Sequence, residues 1–170
     1  EVSEEDKNQF YQQMTMDFEE PLLNIHFASD APVHLRSLLF VPAKREAGIL
    51  ALRKEPGQML YSHNVLIQEY INDLLPEWLN FVDGAVDSED IPLNVSRETV
   101  QSTRIMRQLG RTLRKRILRE LATLADKKPQ KYAQFWQEYG RSFKEGMATD
   151  PAAAEEIIPF LRYVSSKSNG

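Results

Sequence analysis

The 170-residue chain has no cysteine, which excludes a disulfide framework and thiolate metal sites and is compatible with a reducing compartment. Long apolar runs are also missing. A run such as Ser37-Leu38-Leu39-Phe40-Val41 is strand-sized, far below the ~20 residues that span a bilayer, so no membrane crossing is expected. The opening Glu1-Val2-Ser3-Glu4-Glu5-Asp6 lacks the basic start and apolar centre of a signal peptide, and any targeting segment is expected to lie outside this chain. Positive charge is not in excess: the net charge of −4 provides no global attraction to nucleic acid or anionic membrane. Low-complexity tracts and internal repeats are absent. So are a glycine-rich phosphate loop, HExxH, CxxC and GxSxG, which leaves no self-contained catalytic constellation.

What is present suffices for a globular core, since 42% of residues are hydrophobic and 27% charged. Ser3 can cap a helix whose first turn holds Glu4, Glu5 and Asp6, with Phe10, Tyr11 and Met14 on one face; Pro21 closes it. Residues 22–29 and 33–41 read as an antiparallel strand pair around Ser29-Asp30-Ala31-Pro32. Residues 42–58 read as an exposed connection, and Tyr61 to Tyr70 as a further strand. Beyond residue 100 the pattern is helical. Ile105, Met106, Leu109, Leu113, Ile117, Leu118, Leu121 and Leu124 share one face, and Lys127-Lys128-Pro129 ends that helix. Tyr132, Phe135, Trp136, Tyr139, Phe143 and Met147 repeat the spacing. Asp150-Pro151 then caps a third helix, to be ended or kinked at Pro159. Trp78 and Trp136 are expected in the core.

The expected class is α/β (α+β): a layered α-β-α sandwich followed by a small three-helix bundle. Residues 1–125 would form the α/β core and 126–170 a small helical subdomain. His26, His34 and His63 are scattered and read as structural. Asp83, Asp87, Glu89 and Asp90 could bind a divalent cation through oxygen, but the cluster reads better as a solvated turn, without EF-hand spacing; no metal is expected. Residues 97–120 contain eight Arg or Lys against Glu98 and Glu120, a balance of 8 − 2 = +6. The stripe Arg104, Arg107, Arg111, Arg114 reads as the wet face of an amphipathic helix. The alternative is a nucleic-acid-binding module on helix 104–119, disfavoured because no aromatic residues interleave to stack on bases.

The segment Leu75-Pro76-Glu77-Trp78-Leu79-Asn80-Phe81-Val82-Asp83-Gly84-Ala85-Val86-Asp87-Ser88-Glu89-Asp90-Ile91-Pro92-Leu93-Asn94-Val95-Ser96-Arg97-Glu98 resembles the signature of the ninety-kilodalton heat-shock chaperone family. The match runs through VDSED-x-PLN-x-SRE. It extends from Phe10-Tyr11 and Asp17-Phe18-Glu19-Glu20-Pro21-Leu22 to Lys131-Tyr132-Ala133-Gln134-Phe135-Trp136 and Leu161-Arg162-Tyr163, and drifts over 43–58. There Ile49, Leu50 and Leu52 stand where relatives tend to carry an aromatic-containing loop.

That resemblance implies a middle domain of an ATP-dependent chaperone, with an N-terminal ATP-binding domain and a C-terminal homodimerisation domain outside this chain. ATP, with Mg, would be held by the N-terminal domain and none by this chain alone, so no enzymatic activity is expected of it in isolation. Arg97 would reach the terminal phosphate of ATP, Gln101 would support the same catalytic loop near 94–101, and Asn94 and Ser96 would shape it. Residues four apart can present two donors to one target, and a planar, permanently charged guanidinium suits phosphate oxygens. Without the resemblance, Arg97 pairing with Glu98 or an acid of the 83–90 turn is the simpler reading. Phe18 stands where relatives often carry an exposed aromatic and is a candidate contact for unfolded client proteins; the alternative is a staple packing the first helix onto the sheet. The implied compartment is the bacterial cytoplasm, or alternatively the mitochondrial matrix.

Overall fold

The computed structural model describes residues 3–45, 57–93 and 104–163. Helix α1 spans Glu4–Thr15, and its start is a capping box. The Asp6 amide donates to Ser3 Oγ, and the Ser3 amide donates to the Asp6 carboxylate, which satisfies two helix-end donors reciprocally. The Ser3 hydroxyl, and after it the Ser3 amide, donate to the Asp6 carboxylate and hold it below the usual carboxylate range. The helix stops at Met16, which turns left-handed at φ 57°.

Five strands follow: β1 Leu23–Ser29, β2 Leu35–Val41, β3 Gln58–Ser62, β4 Val65–Ile71 and β5 Asp83–Asp87. They form one sheet in the order β1-β2-β5-β3-β4. All pairs are antiparallel except β3 with β5. The register sets Ile25 opposite Leu39, Leu39 opposite Gly84, and Leu60 opposite Val86. Side chains alternate across a strand, so these apolar residues share a face. They belong to the same buried cluster as α2, Arg104–Lys127, and α3, Pro129–Thr149. Phe40 points to the other face, where the Tyr11 ring of α1 lies 5.1 Å away.

Helix α2 buries Met106, Leu109, Leu113, Ile117, Leu118, Leu121 and Leu124, as the spacing predicts, with Ile105 partly buried beside them. At Gly110 a Cβ would stand 2.4 Å from the Leu74 carbonyl oxygen, so the helix sits hard against the chain that precedes β5. Helix α3 adds an aromatic row to the same cluster. Phe81 stacks on Tyr139 at 4.1 Å, Trp78 meets Phe143 edge-on at 5.3 Å, and the Tyr139 hydroxyl donates to the Pro42 carbonyl. Trp78 is buried and Trp136 partly buried. Residues on both sides of position 125 thus share one core.

The mixed α+β class holds, and three local expectations are corrected. Tyr61 to Tyr70 is not one strand but parts of two, joined at His63-Asn64, both left-handed at φ 49° and 63°. With Ser62 paired to Val65, this is a two-residue turn of the kind that matches strand twist. The acidic stretch is a solvated turn only at Glu89 and Asp90, which are exposed: residues 83–87 form the central strand, and Asp83 is buried. Small residues make room there. Gly84 has φ 144°, and a Cβ on it would lie 2.3 Å from the Leu38 carbonyl oxygen. Where a third helix is expected, prolines break the chain into short turns, Pro151–Ala153 and Ile158–Phe160, around the four-residue α4, Ala154–Ile157.

Replacing Gly84 with Ala forces backbone apart at the sheet centre and strains a positive φ. It is expected to lower stability by about 3 kcal/mol or more, measured as a shift in the urea midpoint at unchanged slope.

Candidate functional site

The signature segment is built into the fold as strand, staple and exit. As β5 leaves the sheet, the Ser88 amide donates to the Tyr61 carbonyl, and Ser88 Oγ donates to the His34 carbonyl at 2.6 Å. The His34 amide donates to Asp90 Oδ2 at 2.7 Å. Asp87 Oδ1 accepts from the Asn64 amide, and Ser62 Oγ donates to the Ile91 carbonyl. Each such bond contributes about 1 kcal/mol net. Together they fix the chain up to Ile91, which is buried, and release it at Leu93, which is exposed. Asp87 and Asp90 of VDSED therefore accept from backbone amides, while Glu89 pairs with Arg36 at 3.8 Å. No group of three or more potential metal ligands occurs among the described residues.

Asn94, Ser96, Arg97 and Gln101 lie outside the described residues, as does the divergent stretch 46–56. What is described is the frame on either side of the first group. Ile91 anchors the entry, and α2 takes up the exit at Arg104, with Met106 and Leu109 buried within its first turns. The described start of α2 carries Arg104, which is exposed, and Arg107.

Further along α2 the basic stripe is partly engaged. Arg114 pairs with Glu156 at 3.0 Å. Arg116 pairs with Glu120 at 2.9 Å and lies over the Phe27 ring. Arg104, Arg111 and Arg119 are exposed. A groove of about 460 Å³ lined by Gly57, Gln58, Ile71, Asn72, Asp73, Leu75, Glu77 and Asn80 has two acids and no cation, a poor match for a phosphate group.

Phe18 stands at the surface, 78% exposed, in the bend between α1 and β1. The staple reading is overturned: the aromatic residues that bind α1 to the sheet are Phe10 and Tyr11 against Phe40. Met16 is equally exposed. The sequence reading missed it because it carried the helix on to Pro21, whereas α1 ends at Thr15. Of the histidines, His26 and His34 are exposed strand-region residues and His63 is in the hairpin turn.

A family model described as "Hsp90 protein" matches residues 1–170. The chain belongs to the Hsp90 family. Relatives within it include a "Chaperone protein HtpG" of Desulfitobacterium hafniense, 42% identical over 99% of this chain and 27% of the relative. The "TNF receptor-associated protein 1 homolog, mitochondrial" of Dictyostelium discoideum is 41% identical over 99% of the chain and 24% of the relative. A "Chaperone protein HtpG" of Borreliella burgdorferi is 35% identical over the whole chain and 28% of the relative. The chain thus spans about a quarter of the length of the curated Hsp90 relatives it matches, and bacterial and mitochondrial members resemble it almost equally. Among its described residues no helix is long and apolar enough to cross a membrane.

Because the Phe18 ring is exposed, Phe18→Ala should change unfolding free energy by no more than about 0.5 kcal/mol. Phe143→Ala, at a fully buried position, should cost about 3–5 kcal/mol. Paired urea melts compare the two directly.

Proposed function

We propose that this chain is the middle domain of an ATP-dependent Hsp90 chaperone, and that it lends an arginine to a nucleotide bound on a neighbouring domain. The observation that carries this reading is the VDSED-x-PLN-x-SRE segment within a match over the full chain. Its first half is stapled into the centre of the sheet, and the chain is described again from Arg104, in a helix whose apolar face is buried. A side chain delivered from such a frame can be placed reproducibly against another domain.

In this reading Arg97 donates to oxygens of the ATP terminal phosphate, Gln101 holds the same loop, and Asn94 and Ser96 shape it. A guanidinium offers a planar fork of donors matched to phosphate oxygens and does not lose its charge. It arrives only when the domains dock, so its attraction is felt most by the charge that develops during phosphoryl transfer. Hydrolysis is thereby made conditional on domain closure. The chain's own residues supply a cation and its positioning. Nucleotide and Mg are held by the N-terminal domain of the parent, and a C-terminal domain pairs two parents into a homodimer. Phe18 contributes exposed apolar surface for unfolded clients. The parent acts in the bacterial cytoplasm or, for the mitochondrial branch, the matrix.

Replacing Arg97 with Ala in the full-length parent is expected to lower ATP turnover at least about tenfold while ATP affinity stays within about twofold. Steady-state turnover and nucleotide titration are measured separately. Unchanged turnover would remove Arg97 from the mechanism.

A further inference from the structure

The bend that carries Phe18 is held by one carboxylate with both oxygens in use. Asp17 Oδ1 accepts from the Glu19 amide at 2.9 Å, closing a three-residue Asx turn whose middle residue is Phe18. Asp17 Oδ2 accepts from the Tyr11 hydroxyl at 2.8 Å. Tyr11 is almost fully buried, with its ring packed on Phe40. Burial and, after it, the hydrogen bond to Asp17 push its hydroxyl well above the usual tyrosine range, which keeps it protonated as the donor. The backbone entering the bend is tied as well: Thr15 Oγ1 donates to the Tyr11 carbonyl and accepts from the Asp17 amide. On the far side Glu19 pairs with Lys44 at 2.5 Å. Two large apolar side chains, Met16 and Phe18, flank Asp17, and both are 78% exposed.

A free bend would let the two side chains turn toward each other or the sheet and hide apolar surface from water. Here the hydrogen bonds oppose that collapse, because they fix the backbone on both sides of Phe18 and so limit the directions its ring can take. We propose that Asp17 is the positioning residue of this tip: anchored to Tyr11 in the core, its carboxylate holds Met16 and Phe18 outward as a preorganised apolar pair for an unfolded polypeptide segment. The inference rests on the reading of Phe18 as a client contact and adds the residue that presents it and the second side chain that shares the contact. Asp17, Glu19 and Glu20 outnumber Lys44, which pairs with Glu19 and also faces Asp17 and Glu138, so the rim is negative. A segment pairing an apolar residue with Lys or Arg fits it best. Preorganisation lowers the ordering cost of binding, so loosening the tip weakens the contact even with Phe18 in place.

The absence of cysteine allows a direct test on the 170-residue chain. A nitroxide on Cys in the Phe18→Cys variant reports tip mobility by electron paramagnetic resonance. A fluorescent, reduced and carboxamidomethylated lysozyme serves as a basic, permanently unfolded probe of binding to chains that keep Phe18. Asp17→Ala, and independently Tyr11→Phe, which keeps the ring in the core, are expected to narrow the nitroxide spectrum and to weaken probe binding roughly five- to tenfold, the scale of one typical net hydrogen bond. Asp17→Asn, whose Oδ1 can still accept from the Glu19 amide and whose Nδ2 can donate to the Tyr11 hydroxyl, should restore most of both. In a Phe18→Ala background, Asp17→Ala should weaken binding little further. A nitroxide spectrum unchanged by Asp17→Ala and Tyr11→Phe overturns the positioning role. A loosened tip together with unaltered probe affinity in Phe18→Ala overturns the client reading of Phe18 instead.

Discussion

The strand Asp83–Asp87 lies between β2 and β3 with its glycine against the Leu38 carbonyl, and the rest of the molecule is arranged around that insertion. A side chain at residue 84 would push β2 away. Without close β2–β5 pairing, the apolar face that receives α2 and α3 would not be continuous. The same strand leaves the sheet through Ser88 and Asp90, whose side chains bind the backbone of His34 on both its carbonyl and its amide. Strand, staple and exit therefore form one rigid unit. That unit fixes where the chain emerges at Leu93, just as the contact of Gly110 with Leu74 fixes where α2 takes it up again.

The division of labour follows from this frame. The interior is saturated with packing: Phe81 on Tyr139, Trp78 on Phe143, and seven apolar positions of α2 in one cluster. Ionisable groups within it are few. Tyr139 has its hydroxyl pushed above the usual range, first by burial and then by the nearby Asp83, and it serves to tie α3 to Pro42. Tyr132 is likewise pushed up to about 12 by burial while donating to the Phe160 carbonyl. These are structural hydroxyls. The roles proposed for this chain fall instead on residues 94–101, outside the described residues, and on the exposed Met16–Phe18 tip.

Much of the scaffold was legible because burial imposes a period. The 3.6-residue repeat of α2 and the aromatic repeat of α3 face the core, with Ile105, Trp136 and Met147 only partly buried, and Ser3 caps α1 ahead of its acidic first turn. Strands β1 and β2 pair around the turn at Asp30 to Pro32, as their composition suggested. Other features escaped for physical reasons. The hairpin at His63-Asn64 has no glycine to mark it, although asparagine tolerates the left-handed region. The central strand is disguised by aspartates at both ends, whose roles depend on partners far away in sequence. The exposed state of Phe18 was undecidable from pattern alone, since an aromatic at a helix end is as compatible with a staple as with a tip. Arg97, Gln101, Asn94 and Ser96 have no periodic signal and were nominated by resemblance to the Hsp90 family.

The central claim is geometric: a frame fixed at Ile91 and at α2 delivers one guanidinium to a nucleotide held elsewhere. The most direct measurement is a structure of the full-length parent, closed on a non-hydrolysable ATP analogue with Mg. The account predicts the Arg97 guanidinium within about 3 Å of a terminal phosphate oxygen, with the Ser88–His34–Asp90 staple intact. A closed, nucleotide-loaded parent in which Arg97 points to solvent or pairs with Glu98 would contradict it.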